Sequence, residues 1–126
     1  MIKKLDHFVL TISNIRRTCE FYCDLLAMKY EEFGEGRMAL KFGTSKINLH
    51  IEGHEFEPKA HRALPGTADL CFIIEGSIAD MQARLADAGV DILAGPVSRT
   101  GATGPITSIY VRDPDFNLIE LSSYDE

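Results

Sequence analysis

Apolar and polar residues alternate with a period of two in several short runs along this chain, and helical stripes or turns separate the runs. Over Leu5–Ile12, Leu5, His7, Val9 and Thr11 fall on one side, with Asp6, Phe8, Leu10 and Ile12 on the other, which predicts a strand. Ser13 or Asn14 can cap a helix whose apolar stripe is Ile15, Cys19, Tyr22 and Leu26, flanked by Phe21 and Leu25 and ending near Ala27 or Met28. Strands follow over Lys29–Phe33, Arg37–Phe42 and Lys46–Glu52, separated by turns at Gly34-Glu35-Gly36 and Gly43-Thr44-Ser45. After an aperiodic stretch, Ala68–Ile74 reads as a strand. Ser77 caps a second helix with Asp80 in its first turn, apolar positions at Ile78, Met81, Leu85 and Ala88, and Gly89 as its stop. A short strand Val90–Leu93, a Gly/Pro/Thr-rich loop Gly95–Pro105, a strand Ile106–Arg112 and a last strand after the turn Asp113-Pro114-Asp115-Phe116-Asn117 complete the reading.

The order strand, helix, strand, strand, strand therefore occurs twice. The fold class is α+β, with one βαβββ module over 1–52, a linker over 53–67 and a second module over 68–126. The linker holds His54, Pro58, His61 and Pro65 and is long enough to fold over a site. His7 and Asp69 stand 62 residues apart, as do Met28 and Val90. His50 and Glu120 stand 70 apart, the extra residues fitting the Gly95–Pro105 loop. Periodicity fixes the number of modules and not how they pair.

Against this repeat four polar residues stand out. His7 and Asp69 lie on the first strand of each module, His50 and Glu120 on the last, each on the face opposite to its apolar neighbours. A lone Glu or His of this kind is ordinarily part of a solvated strand face, since an antiparallel sheet can keep one wet side. Four of them at matching places point instead to two imidazoles and two carboxylates converging as a nitrogen/oxygen metal site.

Composition narrows the function classes. One domain's worth of chain with 45% apolar residues is neither disordered nor a membrane span. A net charge of −6 and the absence of a Lys/Arg run argue against a nucleic-acid partner. No apolar segment is long enough for a bilayer, and no charged-then-apolar signal precedes the first strand, so the expectation is a cytoplasmic protein without a membrane partner. The three cysteines, Cys19, Cys23 and Cys71, make no zinc knuckle and read as reduced thiols.

Several motifs carry a resemblance. Leu5-Asp6-His7-Phe8-Val9-Leu10, Phe21-Tyr22 with Leu25-Leu26-Ala27-Met28, Ile47-Asn48-Leu49-His50 and Asp113-Pro114-Asp115-Phe116-Asn117-Leu118-Ile119-Glu120 occur in this order over the whole length. On these the chain resembles the vicinal oxygen chelate superfamily of glyoxalases, bleomycin-resistance proteins and extradiol dioxygenases. More narrowly, Lys46–His50, Phe56-Glu57-Pro58-Lys59-Ala60, Ala68–Phe72 and Gly95–Gly101 look like glyoxalase-domain proteins labelled virulence-associated or dioxygenase-related.

The resemblance implies two modules paired into a cupped, partly open mixed β-barrel with the helices outside. It implies one divalent metal per site, Fe, Mn, Ni, Co or Zn, on His7, His50, Asp69 and Glu120. Many members carry a histidine where Asp69 stands, so this chain keeps a familiar ligand inventory but redistributes it. The implied activity is that of a metal-dependent enzyme, a lyase, isomerase or dioxygenase, acting on a small oxygen-chelating molecule. Glu120, or alternatively Asp69, would be the catalytic base, and Arg99, Thr100 and Lys59, on the two long loops, would bind substrate, the alternative for these three being solvated loop charge. Members of this length are commonly homodimers. The other class of function in the family is a non-catalytic module that sequesters a small molecule or antibiotic. Two positions depart from the family's glycines, Ala27 at the end of the first helix and Phe116 in the last turn; a positive φ at Phe116 would cost roughly 1–2 kcal/mol relative to Gly.

Overall fold

The computed structural model describes residues 1–125, so the last residue of the expected second module, Glu126, lies outside the described residues. The chain divides after Thr67 into two compact units. The first contains β1 (His7–Ile12), α1 (Ile15–Cys19), a π-helical segment (Glu20–Leu25), β2 (Lys29–Phe33), β3 (Arg37–Phe42) and β4 (Ser45–Ile51). Its sheet has the order β1-β4-β3-β2, with β1 parallel to β4 and the other pairs antiparallel. Alternation sends Leu10, Ile12, Leu40, Ile47 and Leu49 to one face, where none is more than 3% exposed. Full burial of each such side chain stabilises the fold by about 1.5–3 kcal/mol.

Thr18, Phe21 and Tyr22, from the helical segment, are also buried. Asn14 starts the helix, its side chain accepting from the Arg17 N–H at 2.9 Å. The sequence predicts one helix to Ala27 or Met28, whereas the structure ends α1 at Cys19 and widens into the π segment. The chain then turns at Ala27, whose φ is +63°. The Ala27 and Met28 N–H groups donate back to the Cys23 and Tyr22 carbonyls.

The second unit repeats the plan with β5 (Asp69–Ile73), α2 (Ile78–Asp87), β6 (Ala94–Thr100), β7 (Pro105–Arg112) and β8 (Leu118–Tyr124). The sheet order is β5-β8-β7-β6, again with the first and last strands parallel. Helix α2 starts where the Ser77 hydroxyl accepts from the Asp80 N–H, packs against β7 and β8, and buries Leu85. Ile109, Val111, Ile119 and Leu121 complete this core. The two βαβββ modules and the α+β class expected from the sequence are thus present.

One strand is displaced from its expected place. Val90–Leu93 is not a strand; β6 begins at Ala94 and runs through the stretch read as loop. Gly95-Pro96 looks like a breaker, but β6 is an edge strand, and a register shift between Ala94 and Val97 absorbs the dipeptide. Only glycine fits at Gly95, where φ is +102° and a Cβ would lie 2.4 Å from the Ser108 carbonyl oxygen.

The turn into β8 is held by two buried polar residues. The Asp113 carboxylate accepts from the Asp115 and Asn117 N–H groups, at 2.9 Å each, and from the Asn117 amide at 2.8 Å. The Asn117 side-chain oxygen accepts from the Ala68 N–H at 2.9 Å, which ties the start of β8 to the approach to β5. Between these anchors Phe116 is forced to a φ of +66° with its ring exposed. Among the described residues no helix is long and apolar enough to cross a membrane.

Candidate functional site

Each sheet has one apolar face and one polar face, and the strand registers decide which polar residues are neighbours. In the first unit His7 lies beside Lys46, Val9 beside Asn48, and Thr11 beside His50. In the second Asp69 lies beside Leu118, Cys71 beside Glu120, and Ile73 beside Ser122. His7 and Asp69 each open the first strand of their unit and correspond to one another. The counterpart of Glu120 is then Asn48, and the counterpart of His50 is Ser122. The matching of His50 with Glu120, drawn from sequence offsets, is therefore corrected by one full step of the pleat.

This step separates the expected ligands. His7 and His50 sit on neighbouring strands four rungs apart, about 13 Å along the strand axis at roughly 3.3 Å per residue. Side chains stand nearly perpendicular to a sheet, so these imidazoles cannot meet on one ion from within their unit. Asp69 and Glu120 are two rungs apart. Among the described residues no group of three or more His, Cys, Asp or Glu side chains is placed to hold a metal ion. The residues present do not fit the single four-ligand centre that the sequence suggests.

The expected residues stand as follows. His7 is exposed, and its Nδ1 lies 2.7 Å from the Asp6 carboxylate, which this hydrogen bond holds below the usual carboxylate range. His50 is buried, 6% exposed, and its Nδ1 has no hydrogen-bond partner, nor has the buried Asn48 side-chain oxygen two residues before it. Burial, with a contribution from Arg37, pushes the His50 pKa below its usual value, so the ring is neutral at pH 7. The Phe56 ring, from the linker, meets the His50 ring edge-on at 5.6 Å, and the Arg37 guanidinium lies 4.4 Å from the centre of the Phe56 ring. The linker does fold over part of this face.

In the second unit Glu120 is half-buried, and its Oε2 accepts from the Ser108 hydroxyl at 2.6 Å. Ser108 and Ser122 are fully buried, their hydroxyls 2.7 Å apart, and the Cys71 sulfur lies 3.3 Å from Ser122. Since the single Ser108 proton goes to Glu120, the Ser122 proton is shared between Ser108 and Glu120 Oε2, 3.4 Å away, and Cys71 donates to Ser122. The hydrogen bonds thus run one way and end on Glu120. Partial burial pushes the Cys71 thiol up, so it remains protonated and able to donate. All three cysteines are free thiols.

Arg99 and Thr100 are not on a loop. Both belong to β6, on opposite faces, so Thr100 does not share a surface with Arg99. Arg99 Nε donates to the Tyr110 hydroxyl at 3.0 Å, and Tyr110 lies directly beside Glu120 in the register of β7 and β8. Lys59 is in the linker and pairs with Glu57. The sequence reading missed Ser108, Tyr110, Asn48, Arg37 and Phe56. Strand parity could have assigned Ser108 and Tyr110 to Glu120's face once the register was known; the position of Phe56 left no sequence signal.

The polar face of the second unit thus brings together a carboxylate, a phenol and a guanidinium from three strands, in one of two repeated βαβββ modules. The chain belongs to the glyoxalase/bleomycin resistance protein/dioxygenase superfamily, whose family model matches residues 4–121. It is 56% identical over 125 residues to the glyoxalase domain-containing protein RDO1 of Mycosarcoma maydis, covering 99% of this chain and 70% of that one. It is 53% identical over 124 residues to virulence protein STM3117 of Salmonella typhimurium, covering 98% of this chain and 86% of that one. The crystal structure of STM3117 superimposes with a TM-score of 0.96, over 99% of each chain. The likeness to TnmS3, an antibiotic-binding protein of Streptomyces sp. CB03234, is one of fold: 19% identity and a TM-score of 0.75 over 98% of each chain.

Proposed function

We propose that the protein is a lyase or isomerase acting on a small, oxygenated, anionic molecule, with Glu120 as the general base. The observation that carries this is the hydrogen-bonded chain that ends on Glu120 Oε2 and holds the carboxylate beside Tyr110, to which Arg99 is bonded. Arg99 supplies the charge that would hold a substrate carboxylate or phosphate. Glu120 takes a proton from the carbon next to a carbonyl, and the electron pair moves onto the carbonyl oxygen. Tyr110 accepts from Arg99 through its oxygen and so keeps its own O–H to donate to that developing oxyanion. In a 2-hydroxy aldehyde, return of that proton to the former carbonyl carbon, with the hydroxyl proton passing to the former carbonyl oxygen, completes an isomerisation. Departure of a leaving group with its bonding pair from the carbon on the far side of the deprotonated one, as the carbonyl re-forms, completes a lyase reaction.

The rival reading, sequestration of a small molecule without turnover, draws on the fold this chain shares with the antibiotic-binding protein TnmS3. One experiment separates the two. The protein is incubated in deuterated water with a panel of small 2-hydroxy aldehydes and 2-oxo and 2-hydroxy acids, as purified and with added Mn, Fe, Co, Ni or Zn. Proton NMR then follows loss of the carbon-bound proton. Exchange of at least one compound, abolished in Glu120→Gln and weakened in Tyr110→Phe, is expected. Binding without exchange in the wild type would replace this reading with sequestration, and exchange that survives Glu120→Gln would remove Glu120 from the base role.

A further inference from the structure

The first unit holds a second cluster that the proposed chemistry does not use. Asn48 and His50 point to the same polar face, two residues apart on β4, and each has a buried polar atom without a partner. A buried polar atom left unpaired costs about 1–3 kcal/mol, and one unit carries two of them side by side. Folded proteins keep such groups where something else completes them. Arg37, at the start of β3 and next to His50 by the pairing of Met38 with Leu49, has no carboxylate partner among the described residues. Its guanidinium lies against the ring of Phe56, which also contacts His50.

We propose that Arg37, Asn48 and His50 form a ligand subsite for a small hydroxy acid, with Phe56 as the removable cover. A hydroxyl both donates and accepts, so it can donate to the amide oxygen of Asn48 while accepting from His50 in the tautomer that carries its proton on Nδ1. The ligand's carboxylate pairs with the Arg37 guanidinium in a charge-assisted bond. The Phe56 ring touches both the Arg37 guanidinium and the His50 ring. An aryl group on the ligand can therefore take the place of that ring when the linker moves. A bare metal cation is the poorer occupant, because the Arg37 charge stands beside the imidazole.

Lactate and mandelate, which share the hydroxy acid and differ by the aryl ring, are the probes. Binding is followed by two-dimensional NMR of the His50 ring nitrogens in wild type, Phe56→Ala, Arg37→Ala and the gentler Phe56→Leu. Both acids are expected to shift the His50 nitrogens, with mandelate binding several-fold tighter to Phe56→Ala than to wild type. Arg37→Ala is expected to weaken both acids about tenfold, the cost of one charge-assisted contact of about 1.4 kcal/mol. Melting temperatures of the variants show whether each remains folded; Phe56→Leu supplies the comparison if Phe56→Ala does not. Either acid binding without moving the His50 signals, equal affinity of mandelate for wild type and the opened variant, or no binding of either acid to the opened variant would overturn the proposal.

Discussion

The two halves of this chain share topology and register but use them for different ends. Leu49 beside Leu10 and Leu121 beside Phe72 fill the same rung of their cores. On the opposite faces the same rungs diverge: Asn48 against Glu120, His50 against Ser122, Val9 against Cys71. In the second unit every buried polar atom of the Glu120 cluster has a partner, whereas the first unit leaves Asn48 and His50 incomplete. A repeated scaffold fixes the apolar face, because both sheets must bury one. The polar face is free to differ, and function can differ with it.

The largest effect separates two asparagines. Asn117 is fully buried with both ends of its amide engaged, and Asn48 has an amide oxygen with no partner. Asn117→Ala strips a donor from the buried Asp113 and an acceptor from the Ala68 N–H, and should cost about 2–4 kcal/mol. For a chain of this size that lowers the melting temperature by about 10 °C. Asn48→Ala removes an atom already unpaired, and should change stability by less than about 1 kcal/mol in either direction. Thermal melts of both variants check the contrast, and equal losses would mean that Asn48 is paired in solution.

Most of the architecture was legible because alternation and caps are local properties. Val9 and Leu10, or Ile119 and Glu120, declare their faces without any knowledge of the rest of the chain. Register is not local. Nothing in the sequence says that Asn48 rather than His50 lies at the rung matching Glu120, and counting offsets across a loop that proved to be the strand β6 moved the match by two residues. The same Gly95-Pro96 pair that disguised β6 also put Arg99 on a supposed loop, when it is a strand residue fastened to Tyr110. Asp113 and Asn117 read as ordinary turn residues, since the sequence does not show that the turn is buried.

A second, smaller contrast concerns His50 and its counterpart Ser122, which does not titrate near neutrality. The folded-state pKa of His50 lies below its unfolded value of about 6.5, chiefly through burial and then through Arg37, with Glu55 opposing. As pH falls past that unfolded value the unfolded chain takes up the proton first. The stability this residue contributes is therefore complete above about pH 6.5 and is lost as pH falls from there through the folded value. Comparing melting temperatures at about pH 8 and about pH 5.5, wild type should lose more than His50→Asn does. Equal losses in the two proteins would show that the ring takes up its proton freely in the folded state.

The smallest effects test the backbone, at the two non-glycine residues with positive φ among the described residues, one in each half. Ala27 at +63° closes the helical segment through the N–H groups of Ala27 and Met28, and Phe116 at +66° is locked between Asp113 and Asn117. An L-residue in this region costs roughly 1–2 kcal/mol more than glycine. Glycine returns about 0.4–1 kcal/mol of that through the greater freedom of the unfolded chain. Phe116 is 74% exposed, so Phe116→Gly gives up little burial and should raise stability by about 0.5–1 kcal/mol, or about 2–4 °C. Ala27→Gly removes only a methyl group and should gain a similar amount or slightly less, because the penalty belongs to the Cβ that both residues carry. If Phe116→Gly melts at or below the wild-type temperature while Ala27→Gly gains, the exposed ring contributes something that strain relief does not outweigh. A partner covering that ring in a dimer would have this effect, and the melting temperature of wild type, but not of Phe116→Gly, would then rise with protein concentration.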